Sequence, residues 1–249
     1  MDPPPPRALV VFECSGRTRE ALRDLGVDAW SVDLKPSEDR SPHHYQMDAV
    51  RCLQANGPFE IVMAFPPCTE LSVVGNKSVK HARGRSGMTA HSRMHTTLRV
   101  DAIRLFAKIM NDTGVLVGMC ENPVGRACSL LRQSPAESPQ QHPHTPPVHA
   151  NYVVVQPYEF AAVAPSERDP EDLHCKRTAL FSFGDQCAAS AIPVERNHTK
   201  PPPGTVRDWV IKTCSQVDRS RTPPGMAKAL ASTLYKRHRV ARSYRDVPG

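Results

Sequence analysis

Short apolar runs rich in β-branched residues alternate with helical patterns along most of this 249-residue chain, and that alternation limits the folds open to it. The apolar runs lie at 8–12, 29–33, 59–65, 114–120, 152–156 and 178–183, and the helical patterns at 17–25, 48–55, 98–110 and 224–238. Strands that alternate with helices build βαβ units, in which helices cover both faces of a parallel sheet. The pattern therefore predicts an α/β fold with a mostly parallel, doubly wound sheet.

The chain has the length of a single domain of this class, which we place at 8–238. We expect a disordered N-terminus at 1–7 and a flexible tail at 239–249. The proline-rich segment 133–149 is typical of a solvated loop inside the domain.

The composition of the chain indicates which kind of partner it binds and in which compartment it works. The net charge of +7 favours a polyanionic partner such as nucleic acid. No apolar stretch approaches the ~20 residues needed to cross a bilayer, and the start MDPPPPR has no apolar signal region, so we expect a soluble, intracellular monomer with no membrane association. The eight cysteines are scattered without a C-x-x-C pair, which predicts reduced thiols and no metal site.

A rigidly placed thiol is the first candidate for chemistry. The apolar run at 59–65 leads directly into Pro66, Pro67 and Cys68. Two prolines remove backbone freedom, so the thiol leaves the sheet in a defined direction, and ligands of such sheets bind beyond the carboxyl ends of the strands. A nearby cation or helix N-terminus would make Cys68 a nucleophile, whereas without one it would be an inert buried cysteine.

Small and acidic residues follow the first strands. Ser15 and Gly16 lie between the first strand and a helix, where the backbone can approach a ligand closely. Asp33 ends the second strand about 20 residues later, where a carboxylate accepts ribose hydroxyls of nucleotide cofactors. Asp48 follows another strand-like end, before another helix. Either aspartate could instead be a helix N-cap.

The fourth long apolar run ends in MCENPVG, with Glu121 and Asn122 in polar positions. A carboxylate placed directly after a buried strand tends to stay partly protonated and to act as an acid. The alternative is an ordinary turn at the Asn-Pro dipeptide.

The segment 71–100 carries six lysines and arginines and no acidic residue. Beside a nucleophile, such a segment suits a flap that contacts phosphates. Alone, it would be a solvated loop.

The order of these motifs resembles one family. FECSGRTREAL, Asp33, Asp48, FPPCTELS, ENP, KRTALF and RSRTPPGMAKALA are similar to the successive motifs of DNA cytosine-5 methyltransferases, in particular the short ones of phages and large viruses. The resemblance spans roughly 8–233. It implies a Rossmann-like S-adenosylmethionine-dependent methyltransferase fold, and methylation of cytosine carbon 5 in DNA.

The resemblance also implies roles for single residues. Cys68 would add to carbon 6 of the base, Glu121 would hold and protonate ring nitrogen 3, and Asn122 would steady the loop. Arg177 would correspond to the first arginine of the family's Q-x-R-x-R motif. Lys176 or Thr178 would take over part of the role of that motif in contacting DNA, and the basic flap would add phosphate contacts from Lys77, Lys80, Arg83 and Arg85.

For S-adenosylmethionine, the resemblance implies a second set of contacts. Asp33 would bind the ribose and Asp48 would lie near the adenine amino group. The rest of the pocket would be formed by Phe12, Ser15, Gly16 and Pro66. The last motif would return a helix to the first strand through an apolar stripe at Met226, Leu230 and Leu234.

Two departures from the family pattern keep other functions open. Cys175 and Ala179 stand where the family has the glutamine and the second arginine of its motif, and only 184–218 remains for target recognition. We therefore expect low sequence selectivity, with single-stranded DNA among the possible substrates. The alternatives are a catalytically impaired methyltransferase fold that binds nucleic acid or a partner, and a methylase of free pyrimidine nucleotides.

Overall fold

The computed structural model describes residues 4–68, 83–84, 87–88, 94, 105, 115–125, 128, 151–162, 169–173, 176–184, 193–197 and 221–245. Its strands are β1 (Arg7–Val11), β2 (Asp28–Asp33), β3 (His44–Gln46), β4 (Ile61–Ala64), β5 (Arg83–Gly84), β6 (Gly87–Met88), β7 (Val117–Pro123), β8 (Asn151–Val155) and β9 (Thr178–Gly184). Its helices are α1 (Arg17–Arg23), α2 (Ala49–Asn56) and α3 (Pro224–Arg245), with 3-10 turns at Pro157–Phe160 and Pro170–Asp172.

Seven strands form one mixed sheet in the order β3-β2-β1-β4-β7-β9-β8, and β5 pairs with β6 in a separate hairpin. The pairs from β3 to β7 are parallel. Strand β9 runs antiparallel to both β7 and β8. The predicted α/β class with a mostly parallel sheet is confirmed.

Helices cover both faces of the sheet. Successive side chains along a strand point to opposite faces, so each strand contributes to two apolar clusters. In β1, Leu9 and Val11 belong to the apolar cluster that includes α2, whereas Ala8 and Val10 belong to the cluster that includes α1 and α3. The last helix packs on the sheet through the predicted stripe of Met226, Leu230 and Leu234, all at most 2% exposed.

The strand patterns and the structure differ at three places. Strand β3 has only three residues, too few for an apolar run, and only the strand-like end ahead of Asp48 indicated it. Helix α3 continues to Arg245, beyond the expected domain end at 238, because Ala241 is still buried against the sheet. Arg7, expected in a disordered start, is the first residue of β1. The predicted helix at 98–110 lies outside the described residues except for Leu105.

The far end of α3 is anchored by polar side chains that lie inside the fold. Arg237 donates to the Ser182 hydroxyl in β9 at 2.7 Å, and His238 contacts Glu60 at the amino end of β4. None of the helices that the structure describes is long and apolar enough to cross a membrane.

Candidate active site

The order of the strands predicts where a ligand binds. From β1 the chain moves outward through β2 to β3, whereas from β4 it moves to β7 on the other side. The crevice beyond the carboxyl ends of β1 and β4 is therefore the topological switch point, where ligands of open α/β sheets bind. Phe12 follows β1, and Phe65 follows β4, where its N–H donates to the Val11 carbonyl at 2.9 Å.

The turn after β1 is held in an unusual conformation. Phe12 has a φ of 62° and donates its N–H to the Val32 carbonyl at 2.8 Å. Gly16, at φ 75°, precedes α1, and left-handed backbone at this position favours glycine. Ser15 lies between them, with its hydroxyl 3.5 Å from the Arg17 nitrogen. The turn thus brings three of the predicted cofactor residues together at the crevice.

A buried glutamate occupies the start of α1. The Glu13 carboxylate accepts hydrogen bonds from the backbone nitrogens of Thr18 at 2.8 Å and Arg19 at 3.2 Å. Burial raises the pKa of Glu13, although these hydrogen bonds oppose the shift. The chain therefore satisfies these donors of the first helical turn itself, and they are not offered to a phosphate. Sequence reasoning missed this residue; an acidic side chain just ahead of a helix was the available signal.

The two aspartates predicted for the cofactor lie beyond neighbouring strands at the same edge. Asp33 ends β2 and accepts a hydrogen bond from the Lys35 nitrogen at 2.9 Å. Asp48 caps α2, accepting from the Arg51 nitrogen at 2.9 Å, and its side chain is exposed. The N-cap alternative is confirmed for Asp48, and its contact with adenine stays a prediction.

Ion pairs join the glycine turn to distant segments. Arg17 forms a two-point ion pair with Glu171, in which Nη2 lies 3.0 Å from Oε1, and it donates to the Thr222 carbonyl at 3.0 Å. Arg221 pairs with Glu38 at 2.9 Å. The start of α3 is thereby fixed beside the turn. Sequence reasoning missed these pairs, because the Arg221–Glu38 contact spans 183 residues.

The proline-cysteine segment after β4 is held from the next strand. The Asn122 side-chain amide donates to the Pro66 carbonyl at 3.3 Å. Asn122 is fully buried, and its side-chain oxygen has no partner among the described residues. Cys68 itself is partly exposed. The role of Asn122 in steadying a loop stays a prediction, and this contact is the one that such a role would use.

A carboxylate and a lysine lie beside the thiol. Glu121 Oε1 is 3.4 Å from Lys176 Nζ, and the Glu121 side chain is only 11% exposed. Burial raises the pKa of Cys68, the Lys176 charge lowers it and the Glu121 charge raises it, with a net rise. All three groups are therefore electrostatically coupled, as expected for side chains around one small site.

A small cleft, open to solvent, lies between this pair and the start of α3. Its lining mixes one carboxylate, two cations, two hydroxyls and apolar side chains: Glu121, Lys176, Arg221, Thr178, Thr222, Pro157, Pro223 and Met226. Five of these eight residues have polar or charged side chains, so the lining suits a polar group of a ligand.

The remaining predicted residues are placed as follows. Arg177, expected in the family's arginine motif, is exposed, and Thr178 is buried with its hydroxyl donating to the Lys176 carbonyl at 2.9 Å. Ala179 is fully buried opposite Asn122. Arg83 belongs to β5, but nothing is described of its side chain. Outside the described residues lie Lys77, Lys80, Arg85 and Cys175.

Comparison with known proteins gives little beyond this geometry. No family model and no curated protein matches the chain. One solved structure, from E. coli, is that of a candidate DNA modification methyltransferase encoded within a prophage; it aligns with a TM-score of 0.38 and 13% identity over 71% of this chain. The chain spans about half of that protein, 46% of its length. A similarity this low carries no argument about fold or function.

Proposed function

We propose that this chain is an S-adenosylmethionine-dependent methyltransferase that modifies carbon 5 of cytosine in DNA through covalent addition of Cys68. One observation carries the proposal: Cys68 follows β4, Glu121 lies near the carboxyl end of the adjacent parallel strand β7, and Glu121 pairs with Lys176, whose charge also acts on the thiol. A thiol, a carboxyl group and a cation around one small site suit nucleophilic attack on an electron-poor ring.

The chemistry assigns each step to a residue. The Cys68 thiolate forms a bond to carbon 6, and the electrons of the double bond move into the ring, which makes carbon 5 nucleophilic. Glu121 binds ring nitrogen 3 and supplies the proton that this charge requires. Asn122 keeps the Pro66 segment, and with it the thiol, in place. After transfer of the methyl group, loss of the proton on carbon 5 expels Cys68 and restores the double bond.

The residues of the glycine turn fit the proposed cofactor, whose sulfonium supplies the methyl group. Glu13 already accepts from the first-turn donors of α1, which disfavours a diphosphate at this turn. Asp33 would accept the ribose hydroxyls, and the partly buried Phe12 ring would supply an apolar contact.

A covalent trap tests the nucleophile. Incubation with cofactor and DNA that contains 5-fluorocytosine should give a stable adduct, because fluorine at carbon 5 blocks the elimination. We expect Cys68→Ala to abolish the adduct. Cys14→Ser, which removes the partly exposed thiol of the neighbouring turn, should retain it. An adduct that survives Cys68→Ala contradicts the assignment.

A substrate panel tests the remaining parts of the proposal. Methyl transfer should be measured on double-stranded DNA, single-stranded DNA, RNA and dCMP, with DNA the expected acceptor. Turnover of dCMP alone would favour a nucleotide methylase. Salt-dependent DNA binding that persists in Cys68→Ala, without cofactor binding in calorimetry, would favour a catalytically impaired binding protein; the net rise in the pKa of Cys68 is the observation in its favour.

A further inference from the structure

We propose that Lys176, and not the adjacent Arg177, is the cation of this site: a positioning residue whose ammonium group links the Glu121 carboxylate to the Cys68 sulfur. The importance of Lys176 for catalysis rests on the proposed function, whereas its position beside Glu121 does not depend on that function.

The backbone fixes Lys176 at the crevice. Strand β9 runs antiparallel to β7, so its amino end meets the carboxyl end of β7, with Pro123 opposite Thr178. The Val124 nitrogen donates to the Arg177 carbonyl at 2.9 Å, which extends this pairing by one further contact. A residue just ahead of β9 therefore reaches the edge where Cys68 and Glu121 lie.

The charges around the thiol come from three elements. Glu121 belongs to β7, Lys176 precedes β9, and Arg221 faces the same cleft from the start of α3. Lys176 is the group whose charge lowers the pKa of Cys68 against the opposing effects of burial and Glu121. Although burial lowers the pKa of Lys176, the charges of Glu121 and Cys68 raise it overall, so the lysine stays charged.

The side-chain directions separate Lys176 from its neighbour. Lys176 and Thr178 both line the cleft, as residues two apart along an extended chain do, whereas Arg177 lies between them and is exposed. Arg177 contributes its backbone carbonyl to the pairing with β7. A lysine suits the position, because a compact ammonium group can face a thiolate and a carboxylate together.

The test is the pH dependence of Cys68 alkylation by iodoacetamide, resolved by peptide mass spectrometry in the full chain without cofactor or DNA. We expect Lys176→Met to raise the apparent pKa of Cys68 by about one pH unit, and so to slow alkylation near neutral pH by about tenfold. Lys176→Arg should keep most of the wild-type profile. Arg177→Met should leave the profile unchanged, as should Lys228→Met, which makes the same substitution at an exposed position of α3.

Two outcomes would overturn the inference: an unchanged profile in Lys176→Met, or the larger shift in Arg177→Met. Slow alkylation of the buried Cys52 reports an intact fold, and Lys176→Gln replaces the methionine variant if that thiol becomes reactive. The adduct assay separates the two proposals. If Lys176→Met shifts the alkylation profile but the wild type forms no DNA adduct, the role of Lys176 is supported and the proposed methyltransferase activity is contradicted. If Lys176→Met keeps both the wild-type adduct rate and the wild-type alkylation profile, the activity is supported and the role of Lys176 is contradicted.

Discussion

Gly16 is the residue at which the turn after β1 allows least change. Its φ of 75° lies in the left-handed region, and an added Cβ would overlap the Arg19 guanidinium and lie 2.6 Å from Asp39 Oδ2. Arg19 is fully buried and donates to the Ser31 hydroxyl at 2.8 Å while pairing with Asp39. Any side chain at Gly16 must therefore displace an ion pair between the buried guanidinium of Arg19 and the exposed carboxylate of Asp39.

We expect Gly16→Ala to lower the free energy of unfolding by about 1 kcal/mol more than Gly26→Ala does. Gly26 is the matched control, because it has a similar φ of 81° but open space around the added Cβ. Urea unfolding of both variants gives the difference. Equal decreases in the free energy of unfolding would contradict this prediction, because they would mean that the Arg19–Asp39 pair can move aside without destabilising the fold.

At the level of the secondary-structure elements, the start of α3 depends on a carboxylate from another segment. Asp172 accepts from the backbone nitrogens of Gly225, at 2.9 Å, and Met226. Burial raises the pKa of Asp172 to about 6 in spite of these bonds. The same end of α3 carries Arg221 and lines the candidate cleft, so this cap positions part of the site.

The raised pKa of Asp172 predicts the sign of a pH effect on stability. The folded protein binds more protons than the unfolded chain between pH about 4 and about 6, so ionisation of Asp172 lowers stability as pH rises through this range. Compared with the wild type, Asp172→Asn should therefore gain on the order of 3 kcal/mol between pH 4 and pH 7.

Denaturant unfolding across this pH range measures the effect. Asp48→Asn makes the same substitution at the exposed cap of α2 and serves as the control. A stability difference between Asp172→Asn and the wild type that does not change with pH would contradict the shifted pKa.

For the whole molecule, the ion pairs around the glycine turn hold four parts of the chain, distant in sequence, at one crevice. They join α1 to Glu171, and the segment after β2 to the start of α3. The crevice exists only in the folded state, where these segments meet. A ligand that binds there should therefore stabilise the entire fold.

We expect S-adenosylhomocysteine at 100 times its Kd to raise Tm by about 5–10 °C. NAD should have no effect, because Glu13 already satisfies first-turn donors of α1 that a diphosphate would need. Differential scanning fluorimetry tests both ligands. Cys68→Ala should retain the shift, since Cys68 is assigned to the base and not to the cofactor. A shift with NAD alone would overturn the cofactor assignment.

Much of this fold could be predicted because buried parallel strands need continuous apolar runs. Six such runs correspond to β1, β2, β4, β7, β8 and β9, and parallel strands necessarily bring their carboxyl ends to one edge. The positions of Cys68 and Glu121 on that edge follow from this rule. Only a strand-like end ahead of Asp48 indicated β3, because three residues are too few for an apolar run.

The parts of the site that could not be predicted depend on contacts distant in sequence. Whether Lys176 or Arg177 faces Glu121 depends on the direction and register of β9, which no local pattern determines. The pairing of Arg17 with Glu171 likewise joins residues 154 positions apart. Local sequence thus predicts which side chains end the strands, and the tertiary structure decides which of them meet.

Because β9 runs antiparallel to β7, its amino end lies at the cleft, and the side chains ahead of it alternate between facing the cleft and facing away. The number of residues between a cation and Thr178 therefore decides whether that cation meets Glu121. Lys176, two positions ahead of Thr178, faces the cleft, and Arg177, one position ahead, is exposed. Deletion of Lys176 would move residue 175, a cysteine, into the inward position, whereas one residue inserted between Arg177 and Thr178 would bring the guanidinium inward instead. A length change of one residue, without any substitution, would therefore exchange the charge carrier that meets Glu121.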